Sequence, residues 1–386
     1  MNFDIRLPGL LRIGAGVLAE AAATLSAAGS RHPLIVADGV MVQNGTVAQL
    51  QSTLAKAGIA SEVFADVRPD PTNVEVELGV ARYREGGHDA LISIGGGSAI
   101  DTAKAIGVLV ANGGEIRDYK VPAVPALQGP PHIAVPTTAG TGAEVTRFAV
   151  ISDNLLEEKM LIAGPTLLPT VALVDYELSL SMPARLTADT GIDALTHALE
   201  AYVSRRANPF SDALALKAME SIWHALPIAF ADPTNGNARE VMMSSATLAG
   251  VAFSNASVAL VHGMSRPLGV FFHVAHGLSN AMLLPTVTRF SIKSAEERYA
   301  QCAYTMGIAD RVLPASKAAQ LLVDALLQRN AELKVPSPKQ YGISEDRYFG
   351  LIPKMAEQAL ASGSPQNNPR VPSQQEIERL YRDAWC

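Results

Sequence analysis

The stretch GIDALTHALE places Asp193 and His197 four residues apart in an otherwise apolar segment. On a helix, residues four apart share a face, so the carboxylate and the imidazole point at one object. Burying such groups is costly unless they bond each other, bond backbone, or hold a metal ion. The chain has eight histidines. His32, His88 and His132 fall near loops and strand edges, where solvated or capping roles are expected, and His224 reads as an ordinary helix histidine. The remaining four are His197, His262 late in SVALVHGMSRPLG, and His273 and His276 in FFHVAHGLSNAMLLP. Taken singly, each is most simply a hydrogen-bonded core histidine. Taken with Asp193 they are a carboxylate and several imidazoles with no nearby cysteine, a set suited to Fe²⁺, Zn²⁺, Co²⁺ or Ni²⁺. Spacing alone does not choose between His273 and His276.

Two glycine-rich turns offer a different chemistry. ALISIGGGS (90–98) is a strand running into a turn, with the helix IDTAKAIGVLVAN (100–112) behind it. Glycines let the backbone approach a phosphate, and a helix N-terminus supplies N–H donors and a positive dipole end. The pattern is neither G-x-G-x-x-G nor a P-loop. A second turn, PTTAGTGAEVT (136–146), follows the strand HIAV. Two such loops at one edge of a parallel sheet converge where dinucleotides bind. Asp38 ends the strand PLIVAD, where an acid suits ribose hydroxyls and repels a 2′-phosphate, favouring NAD over NADP. It lies upstream of the glycine turn, unlike the usual fingerprint, so a capping aspartate is the plainer expectation from this residue alone.

The elements that must position these groups fall into two regimes. Segments 33–38, 61–67, 90–98 and 131–138 read as strands alternating with helices at 47–58, 74–87 and 100–112. That alternation predicts βαβ units and a parallel sheet covered on both faces. Beyond about residue 183 the strand signal fades into helical spacing. The expected organisation is an α/β, Rossmann-like dinucleotide-binding domain over 1–183 and an all-helical metal-binding domain over 184–386, meeting in a cleft. A net charge of −6 gives no electrostatic case for nucleic acid or an anionic membrane as partner. Two cysteines, Cys302 and Cys386, make a disulfide framework or thiolate metal site unexpected. No signal peptide or membrane span is read, and TLAGVAFSNASVALVHG, the longest apolar run, carries polar residues suited to a helix buried in protein. A cytoplasmic location is the default expectation.

Over essentially its full length the chain resembles the iron-containing (group III) alcohol dehydrogenases. The matching stretches are GGGSAIDTAKA, PTTAGTGAEVT, TGIDALTHALEAYVS and VHGMSRPLGVFFHVAHGLSNAMLLP, and NPRVPSQQEIERLYRDAW is similar to the family's ending. The resemblance implies a dehydroquinate synthase-like two-domain architecture, one divalent metal (Fe²⁺, with Zn²⁺ as the alternative), and a homodimer or larger assembly. It implies Asp193, His197, His262 and His276 as metal ligands, which leaves His273 a pocket position. For NAD it implies Asp38, Asn73, Gly97, Ser98, Thr137, Thr138, Thr141 and Lys159. Two departures stand out: many members have histidine where this chain has Arg266, and serine where it has Ala143.

The expected reaction is hydride transfer between a small alcohol, diol or hydroxy acid and NAD, the metal acting as Lewis acid on the alcohol oxygen. The proton leaves through water or a ribose hydroxyl, with His273 as a further candidate, and Phe253 forms an apolar wall of the substrate pocket. Arg266 is expected to pair with a substrate carboxylate or else with a neighbouring acid. The alternatives are a maleylacetate-reductase-like enzyme, an NAD- and metal-dependent lyase or cyclase of the dehydroquinate synthase type, and a non-catalytic nucleotide-binding protein that needs no metal.

Overall fold

The computed structural model describes residues 2–386 and divides into two compact units, Asp4–Ser181 and Met182–Cys386. The first is built on six parallel strands: β1 (Leu10–Ile13), β2 (Pro33–Asp38), β3 (Glu62–Val67), β4 (Ala90–Gly95), β5 (His132–Pro136) and, after an antiparallel hairpin of β6 (Phe148–Asp153) and β7 (Glu158–Ala163), β8 (Val171–Val174). Their spatial order is β1-β8-β5-β4-β2-β3. The chain runs outward from β2 to β3 and returns to place β4 on the other side of β2. The topological switch point therefore lies between the carboxyl ends of β2 and β4, where open α/β sheets bind ligands.

Period-two alternation explains why β2 reads as a continuous apolar run. Leu34 and Val36 enter one core with Phe64, Leu91 and Ile106, while Ile35 and Ala37 enter another with Leu50, Leu54, Ile92 and Ile94. Each such aliphatic side chain contributes roughly 1.5–3 kcal/mol on burial. The faces are covered by α1 (Ala21–Ala27), α2 (Gly39–Gln43), α3 (Thr46–Lys56), α4 (Asn73–Glu85) and α5 (Gly97–Asn112). Thr72 and Glu75 form a capping box at α4, whereas Gly96 leads into α5 with no side-chain cap.

Three elements of this unit escape the strand pattern. β1 is a four-residue edge strand with three of its residues exposed. The hairpin β6–β7 is half-buried, carries charges, and turns at exposed Leu155 and Leu156, so apolarity alone does not mark it. β8 is short but fully buried. Two histidines also differ from expectation. His132 sits in the sheet interior with Nε2 2.8 Å from Ser93 Oγ, and burial, reinforced by the Lys104 charge, pushes its imidazole down to about 3. His88 is buried too, its Nδ1 3.2 Å from His32 O. Both are core residues because alternate strand and turn positions face inward even where the sequence locally looks like a loop.

The second unit consists of helices α6 (Ala184–Val203), α7 (Pro209–Ala231), α8 (Gly236–Asn255), α9 (Leu260–Phe272), α10 (His276–Ser291), α11 (Glu296–Thr305), α12 (Ala315–Glu332), α13 (Glu345–Ala361) and α14 (Gln374–Asp383), with short 3₁₀ turns. α6 is buried nearly all round, packed by α7, α8 and α10. Among the described residues no single helix is long and apolar enough to cross a membrane. α8 and α9, which carry the longest apolar run, are bent by 105° at the break between them.

Candidate metal centre and cofactor loops

Three helices of the second unit supply the acid and the imidazoles. Asp193 and His197 are one turn apart on α6, His262 lies in the first turn of α9, and His276 is the first residue of α10. One ligand atom from each lies within 4.8 Å of the other three. Asp193 Oδ1 stands 3.5 Å from His262 Nε2, 3.7 Å from His276 Nε2 and 3.9 Å from His197 Nε2. Around a four-coordinate cation with bonds of ~2.1 Å the vertices are separated by roughly 3.4 Å, so the donor set has the spacing of a first coordination sphere. His276 keeps 34% of its side chain exposed while the other three are buried, so the quartet opens on the His276 side. His273 lies outside it, exposed in a left-handed conformation (φ 54°) that ends α9.

The charges favour a cation. Burial raises the Asp193 carboxyl, but His197, His276 and His262 together outweigh it and hold the group well below the usual carboxylate range. His262 shows the converse: burial lowers its imidazole, and Asp193 with Glu200 carries it upward. Two carboxylates thus converge on one ring. Asn280 marks the same point, since its Nδ2 lies 2.6 Å from Asp193 Oδ1 and 3.2 and 3.3 Å from Nε2 of His262 and His276. An amide donor surrounded by those acceptors sits where their lone pairs meet. Its Oδ1 is buried without a partner.

Glu200 and Asn280 have no part in the reading from sequence, although each carries a spacing signal. Asp193, His197 and Glu200 fall at i, i+4 and i+7 of one helix, and Asn280 is one turn beyond His276. Glu200 Oε2 lies 2.7 Å from His262 Nδ1 and accepts from Ala259 N at 2.8 Å, while Oε1 accepts from Val261 N at 2.6 Å. An acceptor on Nδ1 commits that nitrogen to the proton and leaves the Nε2 lone pair for a metal. The same carboxylate satisfies backbone donors at the start of α9 and favours its dipole. Phe253 stacks on the His197 ring at 4.2 Å, and His197 stacks on His262 at 4.5 Å, which fixes the ring planes. Arg266, one turn past His262, is buried, donates to Ser364 Oγ at 3.1 Å, and is lowered to about 10 by burial against the opposing field of Glu200.

Glycine at 277 makes the close approach possible. A Cβ there would stand 2.2 Å from the carbonyl oxygen of Asp189 and 2.7 Å from its carbon. Only a residue without a side chain lets α10 begin against the backbone of α6.

In the first unit the two glycine turns meet. A Cβ on Gly96 would stand 3.3 Å from the Thr138 side chain, and one on Gly97 would stand 2.9 Å from that of Thr141. Thr137 N donates to Gly95 O at 2.9 Å, joining the loops at the strand ends. Parallel pairing of β2 and β4 brings Asp38 to the same place, its Oδ2 3.1 Å from where a Cβ on Gly95 would lie. Asp38 is also the cap of α2, with Oδ1 accepting from Val40 N and Met41 N. The two expectations for Asp38 use different oxygens of one carboxylate. Ser98 sits in the first turn of α5. Asn73 opens α4 with Oδ1 buried and unpartnered, and Lys159 Nζ lies 2.5 Å from Asp70 Oδ1 on the neighbouring turn, which Ser152 N ties down through Pro71 O. The two turns and Asp38 thus gather backbone and hydroxyl donors and an acid at the switch point, an arrangement suited to a dinucleotide lacking a 2′-phosphate.

Residues 8–176 match the family model described as iron-containing alcohol dehydrogenase, and residues 187–385 match the Fe-containing alcohol dehydrogenase family, C-terminal. The chain is 38% identical over 386 residues to an NAD-dependent methanol dehydrogenase of Bacillus methanolicus, covering 99% of each chain. It is 36% identical to a 1,3-propanediol dehydrogenase of Citrobacter freundii, again over 99% of each. Among solved structures, an alcohol dehydrogenase from Oenococcus oeni superimposes with a TM-score of 0.95 at 34% identity, each chain fully covered.

Proposed function

Since the chain belongs to the iron-containing alcohol dehydrogenase family, we propose that it interconverts a small primary alcohol or diol and the corresponding aldehyde, with NAD as hydride carrier. The Asp–His₃ quartet, buried at three of its four ligands and with coordination-sphere spacing, carries this proposal. When bound, a divalent cation supplies Lewis acidity at the alcohol oxygen and the nicotinamide accepts the hydride.

The chain's own residues do the rest. Asp193, His197, His262 and His276 hold the cation, and Glu200 fixes the His262 tautomer. The lower exposure of the other three ligands leaves the His276 side for the alcohol oxygen. Phe253, buried and stacked on His197, gives that ligand ring an apolar backing. Gly97, Ser98, Thr137, Thr138 and Thr141 receive the pyrophosphate on backbone and hydroxyl donors, and Asp38 Oδ2 accepts from a ribose hydroxyl. Asn73 and Lys159 serve the same cofactor. His273 is an exposed imidazole available to relay the proton. Arg266 is engaged by Ser364 and lies in the field of Glu200, which supports the neighbouring-acid alternative over pairing with a substrate carboxylate. Edge strand β1 exposes Leu10 and Ile13, preceded by exposed Ile5 and Leu7, an apolar edge suited to pairing with a second copy.

The test is direct. Protein reconstituted with Fe²⁺ is mixed with NAD⁺ and a panel of short alcohols, diols and hydroxy acids while NADH absorbance is followed. NADH formation that disappears on chelation and returns with Fe²⁺ or Zn²⁺ is expected. Stoichiometric metal and bound NAD with no turnover of any alcohol would refute the proposal and favour the lyase chemistry.

A further inference from the structure

Lys104 is a buried cation for which the metal chemistry has no use. It lies on α5, the helix whose N-terminus opens at the glycine turn, and it is 4% exposed. Its Nζ donates to Ala143 O at 2.7 Å, Thr146 O at 2.9 Å, Thr146 Oγ1 at 3.0 Å and Phe148 O at 2.7 Å. All four acceptors belong to the segment that continues the second turn, PTTAGTGAEVTRF. An ammonium has three protons, so one donor is shared and every proton is engaged. One turn earlier on the same helix, Asp101 Oδ2 accepts from Val150 N at 2.9 Å, fixing the chain two residues beyond that segment. Asp101 also stands 4.0 Å from Nζ, offsetting the burial of the charge. In a trans peptide the C=O and the following N–H point in opposite directions, so gathering the carbonyls of 143 and 146 beneath the loop turns the N–H groups of 144 and 147 away from Lys104.

We propose that Lys104 is a positioning residue for cofactor binding: its ammonium clamps residues 143–148 to α5, so that both glycine turns are held in one register beneath the pyrophosphate. A neutral side chain of similar volume fills the space but cannot gather three carbonyls and a hydroxyl. Burial pushes the amine down to about 8, with Asp101 and Glu144 opposing, so the charge is sustained by this surrounding rather than by solvent. The assignment rests on the glycine turns being the NAD site.

Lys104→Met in the metal-loaded enzyme tests it, with NAD affinity measured by calorimetry and KM and kcat by NADH formation. NAD dissociation constant and KM are expected to rise about tenfold or more, the scale of lost charge-assisted bonds, with kcat and metal content within twofold of wild type. A merely structural role lowers the active fraction and apparent kcat while leaving NAD affinity unchanged, and that outcome overturns the proposal. Should Lys104→Met not fold, Thr146→Val removes one acceptor and leaves the carbonyls; a several-fold weaker NAD affinity supports the clamp and an unchanged one overturns it. Gly97→Val is the control for the site itself. If it abolishes NAD binding while Lys104→Met does not affect it, only the clamp is wrong; if Gly97→Val binds NAD normally, the site is elsewhere and the clamp falls with it.

Discussion

Replacing Gly277 with alanine inserts one methyl group where α10 touches α6. The new Cβ meets Asp189 O at 2.2 Å, and ordinary contact at 3.4 Å requires about 1.2 Å of retreat (3.4 minus 2.2). The obstacle is backbone, so no rotamer change relieves it. His276 is the residue immediately before, and its Nε2 stands 3.7 Å from Asp193 Oδ1. Retreat of α10 along that direction would open the pair toward ~4.9 Å, against the roughly 3.4 Å of a tetrahedral sphere. Disturbing the placement of one ligand should cost about 10- to 100-fold in metal affinity, and overpacking should cost about 1–3 kcal/mol of stability. Competition between the protein and a chromophoric chelator for Zn²⁺ measures the first, and thermal unfolding of both proteins after metal removal the second. Gly191→Ala is the internal control, because its Cβ meets the tips of Leu226 and Met242, which can rotate aside, on the same helix as Asp193. Equal Zn²⁺ affinity and equal melting for Gly277→Ala and wild type would show that the α6–α10 approach does not set the ligand geometry.

Glu200→Gln keeps the shape but replaces the acceptor beside His262 Nδ1 with a choice between one donor and one weaker acceptor; metal affinity should fall about 10- to 100-fold with the fold intact by circular dichroism, and an unchanged affinity would deny Glu200 its orienting role. His132 gives a pH dependence. Its folded value of about 3 lies below the ordinary 6.5, so its burial is accommodated fully above 6.5, and the stability tied to the neutral ring is lost as pH falls from 6.5 toward 3, by at most about 5 kcal/mol. Urea unfolding of His132→Asn across that window should show a shallower acid decline than wild type, and parallel curves would contradict the assignment.

Much of the candidate site was legible from residue types and helical spacing. Asp193 and His197 are four apart because a helix repeats near 3.6 residues, so local periodicity alone aims both at one point. The parallel sheet was legible because β2, β4 and β5 are buried on both faces and therefore apolar at most positions, with Asp38, Ser93 and His132 the exceptions. The hairpin β6–β7 was not, since its apolar runs, FAVI and MLIA, are only four residues long and adjoin polar or charged residues.

Other assignments required the tertiary structure. Spacing did not separate His273 from His276; the end of α9 in a left-handed turn leaves one exposed and starts α10 with the other in the quartet. Asp38 is remote in sequence from the glycine turn, and only the return of β4 to the side of β2 brings its free oxygen to Gly95. Glu200, Asn280 and Lys104 are ordinary helix residues when read along the chain. Their roles come from partners 18 to 87 positions away, 62 for Glu200 with His262, 18 and 87 for Asn280 with His262 and Asp193, and 39 for Lys104 with Ala143. A helix determines which of its own side chains share a face, whereas the packing of one helix or strand against another determines what that face meets.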